Sequence, residues 1–295
     1  MELNSKRLTD AARARASKEW VELPSAKTAV WKYPATSKSQ GNILLIHGYR
    51  GTHHGLEGIV GSLDDFDCYA PDLPGFGESS AFSTQHSIEN YSTWMHELVA
   101  KLDLDKPLIV GHSFGTLVVS RYANQHQEFP IVLINPISAP ALTGPRSFLT
   151  KVTSAFYRFA KSLGEKPGRW LLSHPIAIWS VTEFMYRGDV TGLKPWIAEQ
   201  HKAYFSRFAS TKSVVEGFEA SISCTVGDFA PRISQPTLLI CCERDDVTKI
   251  SAQRQCAEKF NNATYVEVPK LGHLIHYEGP EIAATNIRDF YQVVY

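Results

Sequence analysis

Leu108-Ile109-Val110-Gly111-His112-Ser113-Phe114-Gly115-Thr116-Leu117-Val118-Val119 decides the fold of this chain. Its first three residues make a short apolar run suited to a buried strand, and the residues after Gly115 continue in a helical register. Between them stands Gly-X-Ser-X-Gly. A serine on so sharp a strand-to-helix turn has its hydroxyl lifted clear of the sheet. Side chains two residues to either side would collide with the packed strand and helix, so glycine occupies both places. The helix starting behind Ser113 aims its first N–H groups at negative charge that develops on a substrate. The plainer reading is a strand–turn–helix connection that happens to contain serine. The rest of the chain weighs against it.

A serine nucleophile on such a turn needs a base and an acid, in the chain order Ser, Asp or Glu, His. Pro236-Thr237-Leu238-Leu239-Ile240-Cys241-Cys242 reads as a buried strand with Glu243-Arg244-Asp245-Asp246 at its C-terminal end. In open α/β sheets, ligands and catalysis lie at that end. Thr264-Tyr265-Val266-Glu267-Val268 reads as a further strand, followed by Pro269-Lys270-Leu271-Gly272-His273, where Gly272 lets the loop turn His273 inward. Two adjacent Asp residues after a strand also suit a solvated turn or a helix cap. Consecutive side chains of an extended segment point in opposite directions, so only one of Asp245 and Asp246 can face His273. Spacing from the strand end favours Asp245. Asp246 is then expected to cap the next helix or lie in solvent.

These motifs, in this order, resemble those of the α/β-hydrolase superfamily over nearly the whole chain. Ile43-Leu44-Leu45-Ile46-His47-Gly48-Tyr49 is similar to its strand ending in His-Gly, and Asp72-Leu73-Pro74-Gly75-Phe76-Gly77-Glu78-Ser79 to its Asp-x-x-Gly-x-Gly-x-Ser turn. Leu271-Gly272-His273 with Glu278 and Pro280 resembles the segment that carries the catalytic histidine. Cys242-Glu243-Arg244-Asp245 stands where the family often has Gly-x-x-Asp, with Cys242 in place of the usual Gly and Asp246 where Pro is frequent. Some relatives carry the acid after the preceding strand, but here Ile131-Val132-Leu133-Ile134 runs into Asn135-Pro136, with no carboxylate.

The resemblance implies a Ser113–His273–Asp245 triad and an oxyanion hole from the backbone N–H groups of Tyr49 and Phe114. It implies an α/β architecture, a mostly parallel doubly wound sheet with an inserted helical cap, and no metal or organic cofactor. The implied reaction is cleavage of an ester-type bond, carboxylic ester or thioester, in a small to medium apolar acyl substrate through an acyl-enzyme. Sister enzymes of the fold that open haloalkanes and epoxides use a carboxylate nucleophile, which Ser113 does not supply. Two other classes stay open. One is different chemistry on the same triad, such as carbon–carbon bond hydrolysis, perhydrolysis of the haloperoxidase-like kind, or lyase chemistry. The other is a ligand-binding receptor with slow turnover.

At 295 residues, 43% of them hydrophobic, the chain suits one large α/β core with an insertion. Thirty Lys and Arg are matched by thirty Asp and Glu without a long run of one sign, so neither nucleic acid nor an anionic membrane is expected as a partner. The five cysteines, Cys68, Cys224, Cys241, Cys242 and Cys256, are odd in number and contain no Cys-x-x-Cys pair. Reduced thiols and a cytoplasmic setting are expected. The first twenty residues are charged and do not read as a secretion signal.

Strands are predicted at 29–33, 42–47, 66–70, 107–111, 131–135, 236–241 and 264–268, and helices at 7–18, 55–63, 86–102, 114–126, 250–260 and 280–292. Residues 1–136 and 231–295 form the expected core, and residues 137–230 interrupt the strand–helix alternation as a cap. That insertion is rich in aromatic residues, among them Phe148, Tyr157, Trp170, Trp179, Trp196, Phe208 and Phe218. Some of these are expected to line an apolar cavity between cap and core. Of the other histidines, His47 is expected to orient the oxyanion loop and His112 to flank the nucleophile, while His276 is the rival base. His53 and His54 are set aside as metal ligands, because adjacent side chains are expected to diverge and no third ligand is well spaced.

Overall fold

The computed structural model of the chain describes residues 3–140 and 147–295. One eight-stranded sheet crosses the molecule in the order β1-β2-β4-β3-β5-β6-β7-β8. Its strands are β1 (Ser17–Glu22), β2 (Lys27–Tyr33), β3 (Asn42–Ile46), β4 (Asp67–Pro71), β5 (Leu108–His112), β6 (Ile131–Ile134), β7 (Thr237–Cys242) and β8 (Ala263–Val268). The β1–β2 and β2–β4 pairs are antiparallel; every other neighbouring pair is parallel. The helices are α1 (Asn4–Ala14), α2 (Glu57–Ser62), α3 (Ile88–Leu102), α4 (Phe114–Gln125), α5 (Ser147–Ser162), α6 (Glu165–Leu172), α7 (Pro175–Met185), α8 (Leu193–Tyr204), α9 (Thr211–Ser221), α10 (Ile250–Ala257), α11 (Ile275–Glu278) and α12 (Pro280–Val294).

The central strands carry continuous apolar runs because both faces of the sheet are covered. Their side chains alternate between two cores. Leu44, Ile46, Ile109, Ile131, Leu133 and Leu239 point to one, against Trp94 and Leu98 of α3 and Leu117 of α4. Ile43, Leu45, Val110, Val132 and Ile240 point to the other, against Ile59 and Val60 of α2 and Ile287 of α12. Trp94, fully buried, keeps its indole N–H satisfied by the Thr28 hydroxyl at 2.9 Å.

The N-terminus departs from the sequence reading. The expected helix at 7–18 lies at Asn4–Ala14, and Ser17–Glu22 forms β1 instead. Only Val21 of β1 is buried, so this edge strand lacks the apolar alternation that would announce it. Pairing with β2 over Ser17↔Lys32 to Glu22↔Lys27 makes it a strand. The four-residue α11 was missed because so short a turn has no readable periodicity. Helix α1 docks on α2, where a Cβ at Gly61 would lie 2.0 Å from the Leu8 carbonyl oxygen. The Arg15 guanidinium fastens this end, donating to the Tyr33 and Val60 carbonyls at 3.0 and 2.7 Å.

Helices α5 to α9 lie between β6 and β7 in the chain. They pack on loops that leave the C-terminal ends of the strands. The Arg50 guanidinium donates to the Leu172 carbonyl at 2.9 Å, Gly77 N–H to the Arg207 carbonyl at 2.7 Å, and Tyr49 hydroxyl to the Val214 carbonyl at 2.8 Å. Tyr157, Leu172, Phe208 and Val214 of this segment share the apolar cluster built around α3 and α4. Residues 141–146 of the insertion and the side chain of Phe148 lie outside the described residues. Among the described residues no helix is long and apolar enough to cross a membrane.

The close α1–α2 contact makes a direct test. Gly61→Ala should destabilise the protein by about 1–3 kcal/mol, the usual penalty for forcing extra volume into packed backbone. Gly55→Ala, whose Cβ would meet nothing closer than the Tyr277 hydroxyl at 3.7 Å, should stay within about 0.5 kcal/mol of the parent. Urea unfolding of both variants checks the difference.

Candidate active site

Strand β5 ends at His112, and α4 begins at Phe114; Ser113 between them has φ 53° and ψ −117°. That left-handed backbone is costly for a residue with a side chain and persists only where neighbours hold it. Its N–H donates to the Ile134 carbonyl of β6 at 3.0 Å, and its own carbonyl accepts from Thr116 N–H at 2.9 Å. The flanking glycines are required by contact: a Cβ at Gly111 would lie 2.7 Å from the Gly115 carbonyl oxygen, and one at Gly115 would lie 2.3 Å from the Ile46 oxygen of β3. The loop after β3 reaches the same point, where a Cβ at Gly48 would lie 3.2 Å from Ser113 Cβ. Tyr49 follows directly. Phe114, as the first residue of α4, has an N–H with no acceptor inside its helix.

Two more loops converge on Ser113. His273, beyond β8, places Nε2 2.8 Å from Ser113 Oγ and Nδ1 2.9 Å from Asp245 Oδ2. All three residues are buried, Ser113 being 9% exposed. The Asp245 carboxylate also accepts from Val247 N–H at 2.7 Å, Thr248 N–H at 3.1 Å and the Gln253 amide at 3.3 Å. Gln253 is itself pinned by donating to the Thr248 carbonyl at 2.7 Å. An acid with this many donors is fixed in place and oriented toward the imidazole.

Asp246 points the other way. It neither caps α10 nor lies loose in solvent, as the sequence suggested; its carboxylate pairs with the Arg187 guanidinium, from the loop between α7 and α8. Arg187 also donates its backbone N–H to Glu278 at 3.1 Å, and the same Glu278 carboxylate accepts from Gly272 N–H at 3.0 Å. Burial raises the Glu278 pKa above the ordinary range, opposed by these two backbone donors. One residue of the insertion thus ties the acid loop to the base loop.

The sequence reading missed Asn135. It sits at the end of β6 with φ 47°, wholly buried. Its side-chain oxygen accepts from Cys242 N–H at 2.9 Å, and its amide donates to the carbonyls of Gly272 and His273, both at 3.2 Å. Asparagine tolerates the left-handed region better than most residues. The available signal was its place at the strand end where some relatives carry the acid.

Three further histidines, His47, His112 and His276, lie near the site. Burial pushes His47 down to about 4; its Nδ1–H donates to the Gly48 carbonyl at 2.8 Å, while Nε2 accepts from Leu73 N–H at 2.9 Å. His112, pushed by burial down to about 3, donates from Nε2 to the His273 carbonyl at 3.1 Å. His276 stacks edge-on against His112 at 4.3 Å, is driven by burial well below the ordinary range, and has no partner for Nδ1 among the described residues. It is His273, not this rival, that reaches both Ser113 and Asp245.

His53 and His54 correct the expectation that they diverge. They sit in a tight 3-10 turn with ring centroids 3.9 Å apart, and Glu57 supplies a third ligand-type atom within 4.8 Å. Most of the ligand-type atoms are already engaged, His53 Nε2 being a buried exception among the described residues. Glu57 accepts from Arg13 at 2.6 Å and from His54 at 3.0 Å, and His53 Nδ1 donates to Asp72 at 2.8 Å. The Arg13 guanidinium already neutralises the Glu57 carboxylate, which suits a paired polar network better than a cation.

Comparison with known proteins agrees with this architecture. A family model described as "Alpha/beta hydrolase family" matches residues 43–285. Lipase 1 of Psychrobacter immobilis is 25% identical over 260 residues, which are 85% of this chain and 77% of that protein. A thermophilic esterase from Thermogutta terrifontis superposes with a TM-score of 0.75 at 18% identity, covering 95% of this chain and 99% of the other. A bromoperoxidase from Bacillus anthracis superposes with a TM-score of 0.77 at 16% identity, over 94% and 100% of the two chains. With the match spanning every strand from β3 to β8, the chain belongs to the alpha/beta hydrolase family.

Proposed function

We propose that this chain is a serine hydrolase that cleaves an ester-type bond, carboxylic ester or thioester, in a small to medium apolar substrate. The observation that carries the reading is the hydrogen-bonded series Ser113 Oγ–His273 Nε2 at 2.8 Å and His273 Nδ1–Asp245 at 2.9 Å. In this reading His273 takes the Ser113 proton as Oγ attacks the carbonyl carbon. Asp245 holds the tautomer that leaves Nε2 able to accept, then stabilises the imidazolium. The backbone N–H groups of Tyr49 and Phe114 stabilise the tetrahedral oxyanion, each worth about 3 kcal/mol of barrier. His273 returns the proton to the leaving group, and water attacks the acyl-enzyme by the same route. Lipase 1, the relative named above, has a name that fits this class of bond.

The apolar preference rests on the aromatic residues around Tyr49. Its ring meets Phe76, Phe114 and Tyr157 edge-on, and Tyr157 stacks on Phe218 at 4.6 Å. We assign the acyl group to this side of Ser113.

Three outcomes are expected. Ser113→Ala should abolish both ester turnover and covalent labelling by a fluorophosphonate probe while leaving thermal unfolding unchanged; a loss of only a few-fold would overturn the nucleophile assignment. Asp245→Asn should lower kcat by about four orders of magnitude, because the amide presents the wrong partner to the imidazole. Asp246→Asn, at a half-exposed ion pair, should cost about 0–1 kcal/mol of stability and leave kcat within about tenfold. Reversed kinetics of the two Asp variants would move the acid by one residue.

Asn135 is assigned as a positioning residue that holds the base loop against β7. Asn135→Asp keeps the acceptor for Cys242 N–H but removes both donors to the base loop. It should lower kcat and the rate of fluorophosphonate labelling together by about 100-fold with KM little changed, the scale expected when a catalytic group shifts by about 1 Å. A variant that unfolds earlier yet labels at the parent rate would reduce Asn135 to a structural role.

A further inference from the structure

Helix α7 is apolar on two sides, yet only one of them is covered. Ile178 and Thr182 are buried, and Thr182 is hydrogen-bonded to His201 of α8 at 2.7 Å. The opposite face presents Ile176 at 68% exposure, Trp179 at 57% and Phe184 at 39%. Positions i, i+3 and i+8 fall on one side of a helix, so these three make a stripe. Trp170 of α6, 66% exposed, extends it across the α6–α7 turn, where its ring meets His174 edge-on at 5.2 Å. A second apolar stripe is not needed to fold α7, and two large tryptophans in solvent are costly without a partner.

The charges beside the stripe say what that partner is. From residue 147 to 185 five Lys and Arg stand against two Glu, although the whole chain is balanced. Both acids are already paired, Glu165 with Arg169 at 3.0 Å and Glu183 with Lys194 at 2.7 Å. Exposed Lys161 ends α5, and exposed Lys166 lies one turn before Trp170 on the same side of α6. Neither has an ion-pair partner among the described residues. Tryptophan with an apolar body and a polar edge, flanked by unpaired lysines, is the composition of a surface that rests in the headgroup region of a bilayer. A symmetric pair of chains would bring the same lysines toward each other across the interface, which is unfavourable.

We infer that the α6–α7 corner of the cap docks on an anionic lipid surface. This holds for the fold as it stands and does not depend on the chemistry at Ser113. The absence of a membrane partner expected from the neutral whole-chain charge concerned the sum, whereas docking depends on the local distribution.

The test is co-sedimentation with vesicles of phosphatidylcholine alone or mixed with phosphatidylglycerol, at low and high salt. The parent should bind the mixed vesicles more tightly and release as salt rises. Trp170→Ser combined with Trp179→Ser should weaken binding by at least about tenfold. Lys161→Glu and Lys166→Glu should each weaken it by about fivefold or more and remove the preference for phosphatidylglycerol. Val293→Ser, 82% exposed on α12, should bind as the parent. Circular dichroism establishes that each variant is folded. Failure of the parent to sediment with mixed vesicles, or equal binding by the tryptophan double variant, overturns the proposal. So does a dimer in light scattering that the double variant abolishes without any vesicle binding, since the stripe would then serve a second copy.

Discussion

The left-handed backbone of Ser113 is the constraint around which the other parts of the site are arranged. A residue with a side chain is held there because β3, β5, β6 and α4 meet at one point, with the Ile46 carbonyl oxygen of β3 2.3 Å from where a Cβ on Gly115 would stand. The turn leaves Oγ on the C-terminal side of the sheet, where parallel strands end together and their loops converge. Once that point exists, the acid and base loops need only reach it. They do so through hydrogen bonds that fix their backbones, the carbonyls of Gly272 and His273 on Asn135 and the Asp245 carboxylate on the N–H groups of Val247 and Thr248.

The protein contains other buried pairs of histidine and carboxylate, and they show what sets the site apart. His53 meets Asp72 at 2.8 Å and His86 meets Glu216 at 3.0 Å, as closely as His273 meets Asp245. The far nitrogen of His53 has no partner among the described residues, and that of His86 accepts from Phe82 N–H. Among the described residues, only the His273 pair has a serine hydroxyl on its far nitrogen. The nearby imidazoles of His47, His112 and His276 are pushed by burial toward the neutral form, so they brace the loops without placing fixed positive charge beside the base.

The insertion is coupled to this centre rather than laid over it. Arg187 spans Asp246 on the acid loop and Glu278 behind the base loop, while Tyr49, beside the nucleophile, donates to Val214 of α9. The α7–α8 loop is therefore bonded to both loops that meet at His273. The same helices turn an apolar stripe outward at α6 and α7, so a contact made on that stripe lies on the segment bonded to the candidate site.

The candidate site residues were legible because their backbone demands are local. A serine between two glycines, after an apolar run and before a helical one, specifies a turn from a dozen residues, and the central strands declare themselves because both of their faces are buried. The strands from β2 to β8, the helices outside the insertion apart from α11, and the Ser113, Asp245 and His273 candidates could therefore be read from the chain alone. What could not be read depends on partners far away in sequence. β1 is a strand only because β2 pairs with it; Asn135, Gln253 and Arg187 matter only because folding brings their donors and acceptors within about 3 Å of loops up to a hundred and more residues distant. The pairing of Asp246 with Arg187, the closeness of His53 and His54, and the outward face of α7 were decided the same way. Local sequence sets conformational preference, but only tertiary packing decides which side chains meet and which apolar surface stays uncovered.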